Sequence, residues 1–320
     1  MRVLLWHVHG AWTTALVHGR HEYVVPVLPD RGPDGRGRAQ TYAWPGTVRE
    51  ATPAELRETE LDAVILQRPH ELDHLAEDWL DRRPGRDLPA VYVEHNAPQG
   101  PINEMRHPAA DRDDVHVVHV THFNRLFWDT GATPVHVIEH GIVDPGERYT
   151  GDLGRAAVVV NEARRRARVT GTDLIGGLAG DVPVDLFGMD AAALGGIEDL
   201  PQDRLHDEMA RRRLYLHPIR WTSLGLSLLE AMHLGMPVVA LATTEVADAV
   251  PPDAGVVSNR LDVLRAAVRD LAGDPERARE MGRAARRTAL ARHGLDRFLA
   301  DWDALLAEVT GAPAIQEMAA

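Results

Sequence analysis

The sequence predicts two α/β domains, each a parallel sheet wound with helices on both faces. Three observations predict it: short apolar runs alternating with helical stretches, a break in that alternation near residue 150, and a second alternating series beyond the break. A chain of 320 residues also exceeds the usual size of one core and favours about two.

In the first half the expected strands are Val3–Val8, Tyr23–Leu28, Ala63–Leu66, Ala90–Glu94, Val115–Val120 and Val135–Ile138. Several are rich in β-branched residues and almost continuously apolar, the pattern of strands covered on both faces. Helices are expected between them, at Pro53–Glu60 and Glu71–Asp81. The stretch from Asp144-Pro145-Gly146 to Gly151-Asp152-Leu153-Gly154 concentrates Gly, Pro and Asp and reads as a linker. Strands follow at Ala157–Val160, Val182–Phe187, Leu214–His217 and Pro237–Leu241. Leu261, Leu264, Val268 and Leu271 then keep helical spacing, and Asp274-Pro275 supplies an N-cap and first-turn pair for the next helix. Phe298, Trp302, Leu305 and Val309 form a last apolar stripe, read as core packing. The chain so divided has an N-terminal domain at 1–148, a second domain at 149–296, and a C-terminal helix and tail at 297–320, with Ala312–Ala320 expected to fray.

Composition narrows the function. A net charge of −13 argues against a general nucleic-acid binder, whose affinity rests on neutralising phosphates. With no cysteine there are neither disulfides nor thiolate metal sites. The first six residues run straight into His7, so no signal-peptide apolar region develops, and no run reaches the length of a membrane span. The expected location is the cytoplasm, with no stable membrane insertion. All 35 basic residues counted as Lys+Arg are arginine. Any anion site must therefore use guanidinium groups.

The segment Leu214 to Leu241 carries the most information. It reads as strand, loop, helix, tight turn, strand, with Gly235 ending the helix in the left-handed conformation and Pro237 barring its continuation. The amides of Leu224, Gly225, Leu226 and Ser227 open that helix, where unpaired N–H groups and the dipole favour an anion. Glu230 lies about one turn further in, and its carboxylate suits a pair of sugar or ribose hydroxyls.

This stretch resembles the donor-binding signature of family-four retaining GT-B glycosyltransferases: a glutamate, a Gly-Phe-Gly-Leu-like loop, a second glutamate eight positions on, then Gly-x-Pro-Val-Val. GT-B denotes two Rossmann-like, doubly wound parallel-sheet domains facing across a cleft. The resemblance assigns Glu230 to the nucleotide ribose. At the first glutamate stands Thr222, and Ser223-Leu224 replaces Gly-Phe. Similar proteins open the second domain with Gly-Arg-Leu-x-x-x-Lys-Gly, whose cations neutralise the donor diphosphate. The Gly171-Thr172-Asp173-Leu174 end of Asn161–Leu174 aligns with that passage, which puts Arg165 on the family arginine and Thr170 on the lysine, with Arg168 the nearest substitute charge. Fork-shaped guanidinium donors suit phosphate. In the first domain Val91-Tyr92-Val93-Glu94-His95 resembles the strand ending in a histidine that faces the reacting sugar. The loop His9-Gly10-Ala11-Trp12 lies after the first strand, with Gly10 its one glycine, and Glu139–Asp144 resembles the Asn-Gly-Val-Asp that closes the first domain.

The resemblance thus implies a hexosyltransferase-type enzyme working with retention and without metal or cofactor. A nucleoside diphosphate-sugar is co-substrate, and the acceptor is a small molecule or an envelope precursor. A GT-B protein that binds a nucleotide sugar or a partner without transfer is the non-enzymatic alternative, motivated by Thr222 and the missing lysine. A rival from another class is His70-Glu71-Leu72-Asp73-His74, which has the H-E-x-x-H form of zinc peptidases but lacks a spaced third ligand. His116, His119 and His122 fall on opposite faces if Val115–Val120 is a strand, and Asp111-Arg112-Asp113 precedes a strand where a solvated turn is expected.

Overall fold

The computed structural model describes residues 1–313; of the tail expected to fray, residues 314–320 lie outside the described residues. Two compact units are present, one made of Met1–Gly141 with the chain from Leu295 onward, the other of Ile142–Gly294.

The first unit holds seven parallel strands: β1 Arg2–Leu5, β2 Glu22–Pro26, β3 Val48–Ala51, β4 Ala63–Leu66, β5 Ala90–Glu94, β6 His116–His119 and β7 Val135–Val137. Their order is β3-β2-β1-β4-β5-β6-β7, with β1 flanked in register by β2 and β4 through Leu4↔Val24 and Leu4↔Val64. Winding reverses between β1 and β4, the place where such sheets open a crevice at their carboxyl edge. Strand β3 was not expected. Its Arg49 and Glu50 are exposed between buried Val48 and Ala51, a short charged edge strand without a sustained apolar period. The helix expected at Glu71–Asp81 is two pieces. In Glu71–Leu75 the turn is widened, so that the Ala76 N–H reaches back to the Glu71 carbonyl, and a regular helix Ala76–Leu80 follows.

The C-terminal helix, Leu295–Thr310, belongs to this first unit. Phe298, Trp302 and Leu305 of its expected stripe are buried, whereas Val309 is half-buried. Trp302 meets Trp12 edge-on at 5.7 Å. Trp12 lies on the helix Gly10–Val17, so the segment read as a loop at Gly10–Trp12 is the first turn of a helix.

The second unit holds β8 Leu153–Val159, β9 Val184–Phe187, β10 Arg212–His217, β11 Val238–Ala240 and β12 Gly255–Val257, all parallel, in the order β12-β11-β10-β8-β9. The Gly- and Pro-rich stretch read as a linker is instead tied into this unit: Tyr149 N–H donates to Leu234 O (3.1 Å), Gly151 N–H to Ala210 O (3.1 Å), and β8 starts at Leu153. The division between units therefore comes earlier than residue 148. Strand β12 follows a Pro-Pro-Asp turn and is three residues long, too short for a period to register. Gly235 ends the helix Leu226–Leu234 at φ +89°, and Asp274 caps the helix Pro275–His293 by accepting from Arg277 N–H (3.0 Å).

Candidate active site

In the second unit the sheet reverses winding between β8 and β10, and the two segments singled out by sequence both leave the carboxyl ends of those strands. Helix Ala163–Thr170 follows β8 and carries the arginine run; the loop Pro218–Gly225 and helix Leu226–Leu234 follow β10. The structure joins them. Arg220 N–H donates to Val169 O (2.9 Å), and the Arg220 guanidinium grips Asp173 with contacts of 2.5 and 2.9 Å. Gly171, at φ +70°, lies so close to Pro218 that a Cβ there would sit 1.8 Å from the Pro218 carbonyl oxygen. Only glycine permits this approach.

The helix mouth is built on a buried polar layer. Gly225 is the N-cap, so the amides of Leu226 and Ser227 have no acceptor within the helix. Beneath Gly225 lies the His217 ring, which a Cβ on residue 225 would meet at 2.6 Å. His217 is fully buried, its Nε2 has no partner among the described residues, and burial holds its pKa down to about 4. Beside it Tyr215 Oη and Ser227 Oγ are hydrogen-bonded at 2.8 Å. Thr222 is half-buried in the loop, and Leu224 is buried in the core of this unit.

Glu230 is buried, contrary to what a surface charge on a packing helix would show. Gln202, on the helix Gln202–Arg211, donates from Nε2 to Glu230 Oε1 (2.8 Å) and lies 2.9 Å from His206 Nε2. The Gln202 amide thus serves the carboxylate and, when the His206 ring proton is on Nδ1, the imidazole as well. His206 Nε2 itself stands 3.7 Å from Glu230 Oε2. Gln202, His206, Tyr215 and His217 were all missed from sequence. The i, i+4 pair Gln202 and His206 on an amphipathic helix was the available signal for two of them, and the strand-terminal position of His217 for a third.

The arginines separate. Arg165 is exposed and paired with Glu162 at 2.5 Å, and Arg168 is exposed at 3.6 Å from Asp173. Ala167, at φ +36°, breaks the helix between them, so they do not share a helical face. Arg166 is half-buried, and burial beside Arg165 lowers its pKa from the ordinary value. Among the described residues no carboxylate pairs with it.

In the first unit the switch point carries a second polar group. Gln67, just after β4, donates from Nε2 to Trp6 O (2.7 Å), so its Oε1 accepts from His95 Nε2–H (3.0 Å). That fixes the His95 tautomer and leaves Nδ1 as its acceptor nitrogen. The ring stacks obliquely on His9 at 4.0 Å and meets the edge of Trp12 at 4.8 Å. Burial, with His9 and His140 close by, holds the His95 pKa well below its usual value. Gly10 opens the helix after β1 against Tyr42, whose ring carbon would lie 2.9 Å from a Cβ at that position.

Buried neutral histidines predict a pH effect. His217 has its pKa at about 4 and His119 at about 3, both by burial, against 6.5 in the unfolded chain. Below pH 6.5 the unfolded chain takes up protons that the native state refuses, so stability falls as pH drops from 6.5 toward 4. The slope is up to about 1.4 kcal/mol per pH unit for each ring. Thermal denaturation at pH 7 and pH 5 checks this: the midpoint is expected to be lower at pH 5, and His217→Asn to reduce the difference.

The rivals find no support in geometry. Glu71 is fully buried, accepts from the amides of Gln67 (2.6 Å) and Arg68 (3.1 Å), and pairs with Arg68 Nε (2.6 Å). His70 Nε2 is bound to Asp34 (3.0 Å), and the widened turn leaves the His70 and His74 rings 6.3 Å apart. These bonds occupy the Glu71 carboxylate, and among the described residues His70 and His74 belong to no group of three side chains that could hold a metal ion. Asp111 and Asp113 are exposed; Asp111 lies at a turn, φ +64°, paired with Arg106 (2.8 Å). Among the described residues no helix is long and apolar enough to cross a membrane.

Residues 197–288, from the segment before Gln202 to the helix after Asp274, match the family described as Glycosyl transferases group 1. No curated protein matches the chain. Among solved structures, sucrose-phosphate synthase from Thermosynechococcus elongatus shares 14% identity over 98% of this chain and 100% of its own, with a TM-score of 0.70. HepE from Anabaena, in complex with UDP-glucose, shares 14% identity over 96% of this chain and 100% of its own, also at 0.70. TarM from S. aureus, with UDP bound, shares 12% identity at a TM-score of 0.63 over 79% of this chain, which spans 58% of TarM's length. The chain therefore has the GT-B fold, with a glycosyl transferases group 1 segment at residues 197–288.

Proposed function

We propose that the chain is a nucleotide-sugar-dependent glycosyltransferase. It moves a hexosyl group from a nucleoside diphosphate-sugar to a small-molecule or envelope-precursor acceptor, with retention and without a metal. One observation carries the reading: Glu230 is a buried carboxylate, preset by Gln202, one turn inside a helix whose open N-terminal amides face the carboxyl edge of β10. A carboxylate so placed accepts from a ribose diol, while the amides of Leu226 and Ser227 and the nearby arginines take a diphosphate. The group 1 match over this same segment, and UDP-glucose in the complex of the GT-B protein HepE, support that assignment.

Leaving-group charge would be stabilised electrostatically by the helix mouth around Gly225 and by the arginine run, with Arg166 joining Arg165 and Arg168. Arg165 is exposed and half-neutralised by Glu162, so Arg165→Ala is expected to lower turnover by about tenfold, less than the loss typical of an enclosed donor. Steady-state kinetics check this, and an unchanged kcat removes Arg165 from the site. On the acceptor side His95 is the residue proposed to face the sugar, with the His9 and Trp12 rings against it and Gly10 between those two in the chain.

Thr222 favours a second reading, in which donor binds but is not transferred, because a threonine cannot supply the carboxylate expected at that position. The protein incubated with UDP-, GDP- and dTDP-sugars should release nucleoside diphosphate slowly. Bound nucleotide with sustained absence of hydrolysis favours the second reading, and absence of binding to any nucleotide overturns both.

A further inference from the structure

The three-histidine pattern on β6 resolves in an unexpected way. His119 is fully buried and His122 lies exposed on the next helix, so neither joins His116. His116 instead meets His136 of the edge strand β7. Val118 is the register partner of His136. Side chains alternate along a strand, so His116 shares the face of Val118 and is the diagonal neighbour of His136. Their rings are nearly parallel, 18° apart with centroids at 5.2 Å, and His116 Nδ1 stands 2.9 Å from His136 Nε2. Glu308, in the last turns of the helix Leu295–Thr310, brings a carboxylate to the same place. The three ligand atoms lie within 4.8 Å of one another, with both histidines half-buried and the glutamate exposed. No arginine pairs with Glu308 among the described residues.

We propose that His116, His136 and Glu308 bind a divalent transition-metal ion, of the class of Zn²⁺, Ni²⁺ or Co²⁺. Two imidazole nitrogens and one carboxylate oxygen suit these borderline cations and leave room for water. In a tetrahedral site with bonds of about 2.0–2.1 Å, ligand atoms stand about 3.3 Å apart. The two nitrogens, now head to head, need separate by only a few tenths of an ångström. Each ring must also turn so that its lone pair leaves the line of the hydrogen bond, while the exposed Glu308 side chain swings inward. Binding requires the proton now shared between the rings to pass, through solvent, to the outward nitrogen of one of them. Both imidazoles then present lone pairs, with no net change of charge on the protein. The neighbouring Arg125 opposes the cation, and Glu308 offsets it. The ion would fasten the end of the C-terminal helix to the edge of the first sheet, apart from donor chemistry.

The test uses the full chain, stripped with chelator and titrated with Co²⁺, and reads visible d–d absorption and bound metal per chain after dialysis. One Co²⁺ per chain is expected, with a rise in the thermal midpoint. His116→Gln/His136→Gln is expected to weaken binding by more than about tenfold and Glu308→Gln by about tenfold. His70→Gln/His74→Gln, which removes another histidine pair of this unit, is expected to keep wild-type binding and spectrum. Circular dichroism in chelator verifies that the variants fold. If the double variant does not fold, the exposed Glu308→Gln decides. Wild-type absorption in either of those variants, or no bound metal in the wild type, overturns the proposal.

Discussion

Replacing Glu230 with alanine is expected to weaken UDP binding about 100-fold while the protein stays folded. The carboxylate is buried and its Oε1 is already engaged by Gln202 at 2.8 Å, so it cannot turn to water for an alternative. Two hydroxyls of a ribose donating to one charged acceptor contribute about 1.5–3 kcal/mol each when the site is dry, and part of that is lost to restored solvation in the variant. A net loss of about 2.7 kcal/mol corresponds to the stated factor. Glu230→Gln keeps one carbonyl acceptor and should fall between. Gln202→Ala should cost less than Glu230→Ala, because it loosens the carboxylate without removing it. Calorimetric titration with UDP and GDP measures all three. Unchanged affinity in Glu230→Ala would remove the residue from the nucleotide site, whatever happened to turnover.

The largest stability effect is expected at Trp302. This side chain is 1% exposed and sits between Trp12 at 5.7 Å and Phe298 at 6.3 Å, joining the last helix to the first helix of the same unit. Trp302→Ala removes a large apolar surface from a place where neighbouring rings cannot collapse into the void, at about 3–5 kcal/mol. The thermal midpoint should drop by about 10 °C. Hydrogen exchange gives the more specific readout, with protection lost first in Gly10–Val17 and Leu295–Thr310. A midpoint within about 1 °C of wild type would mean that the helix contributes little to that core.

How much of this was legible in the sequence depended on how each residue meets its neighbours. Strands β4 and β5 were readable to the residue because Ala63–Leu66 and Ala90–Glu94 are buried throughout, and continuous burial writes itself as continuous apolar character. Strands β3 and β12 were invisible because edge strands of three or four residues need no such pattern. Gly235 and Asp274 were legible because helix ends have local chemistry. In the site, Glu230 and Gly225 were found through their spacing along the chain. Gln202 and His206 were not, since their relation to Glu230 is between helices 28 residues apart in the first case. The pairing of His116 with His136 was equally beyond reach: it depends on which strands lie side by side, and the local spacing pointed to His119 and His122 instead.

The bridge made by Gln202 bears on how the proposed site would receive a nucleotide. Because one amide group holds both Glu230 and His206, the rotamer of the carboxylate is selected before any ligand arrives. Ordering entropy that a free glutamate would lose on binding is then already lost in folding, so in the proposed site preorganisation adds to what the hydroxyl contacts contribute.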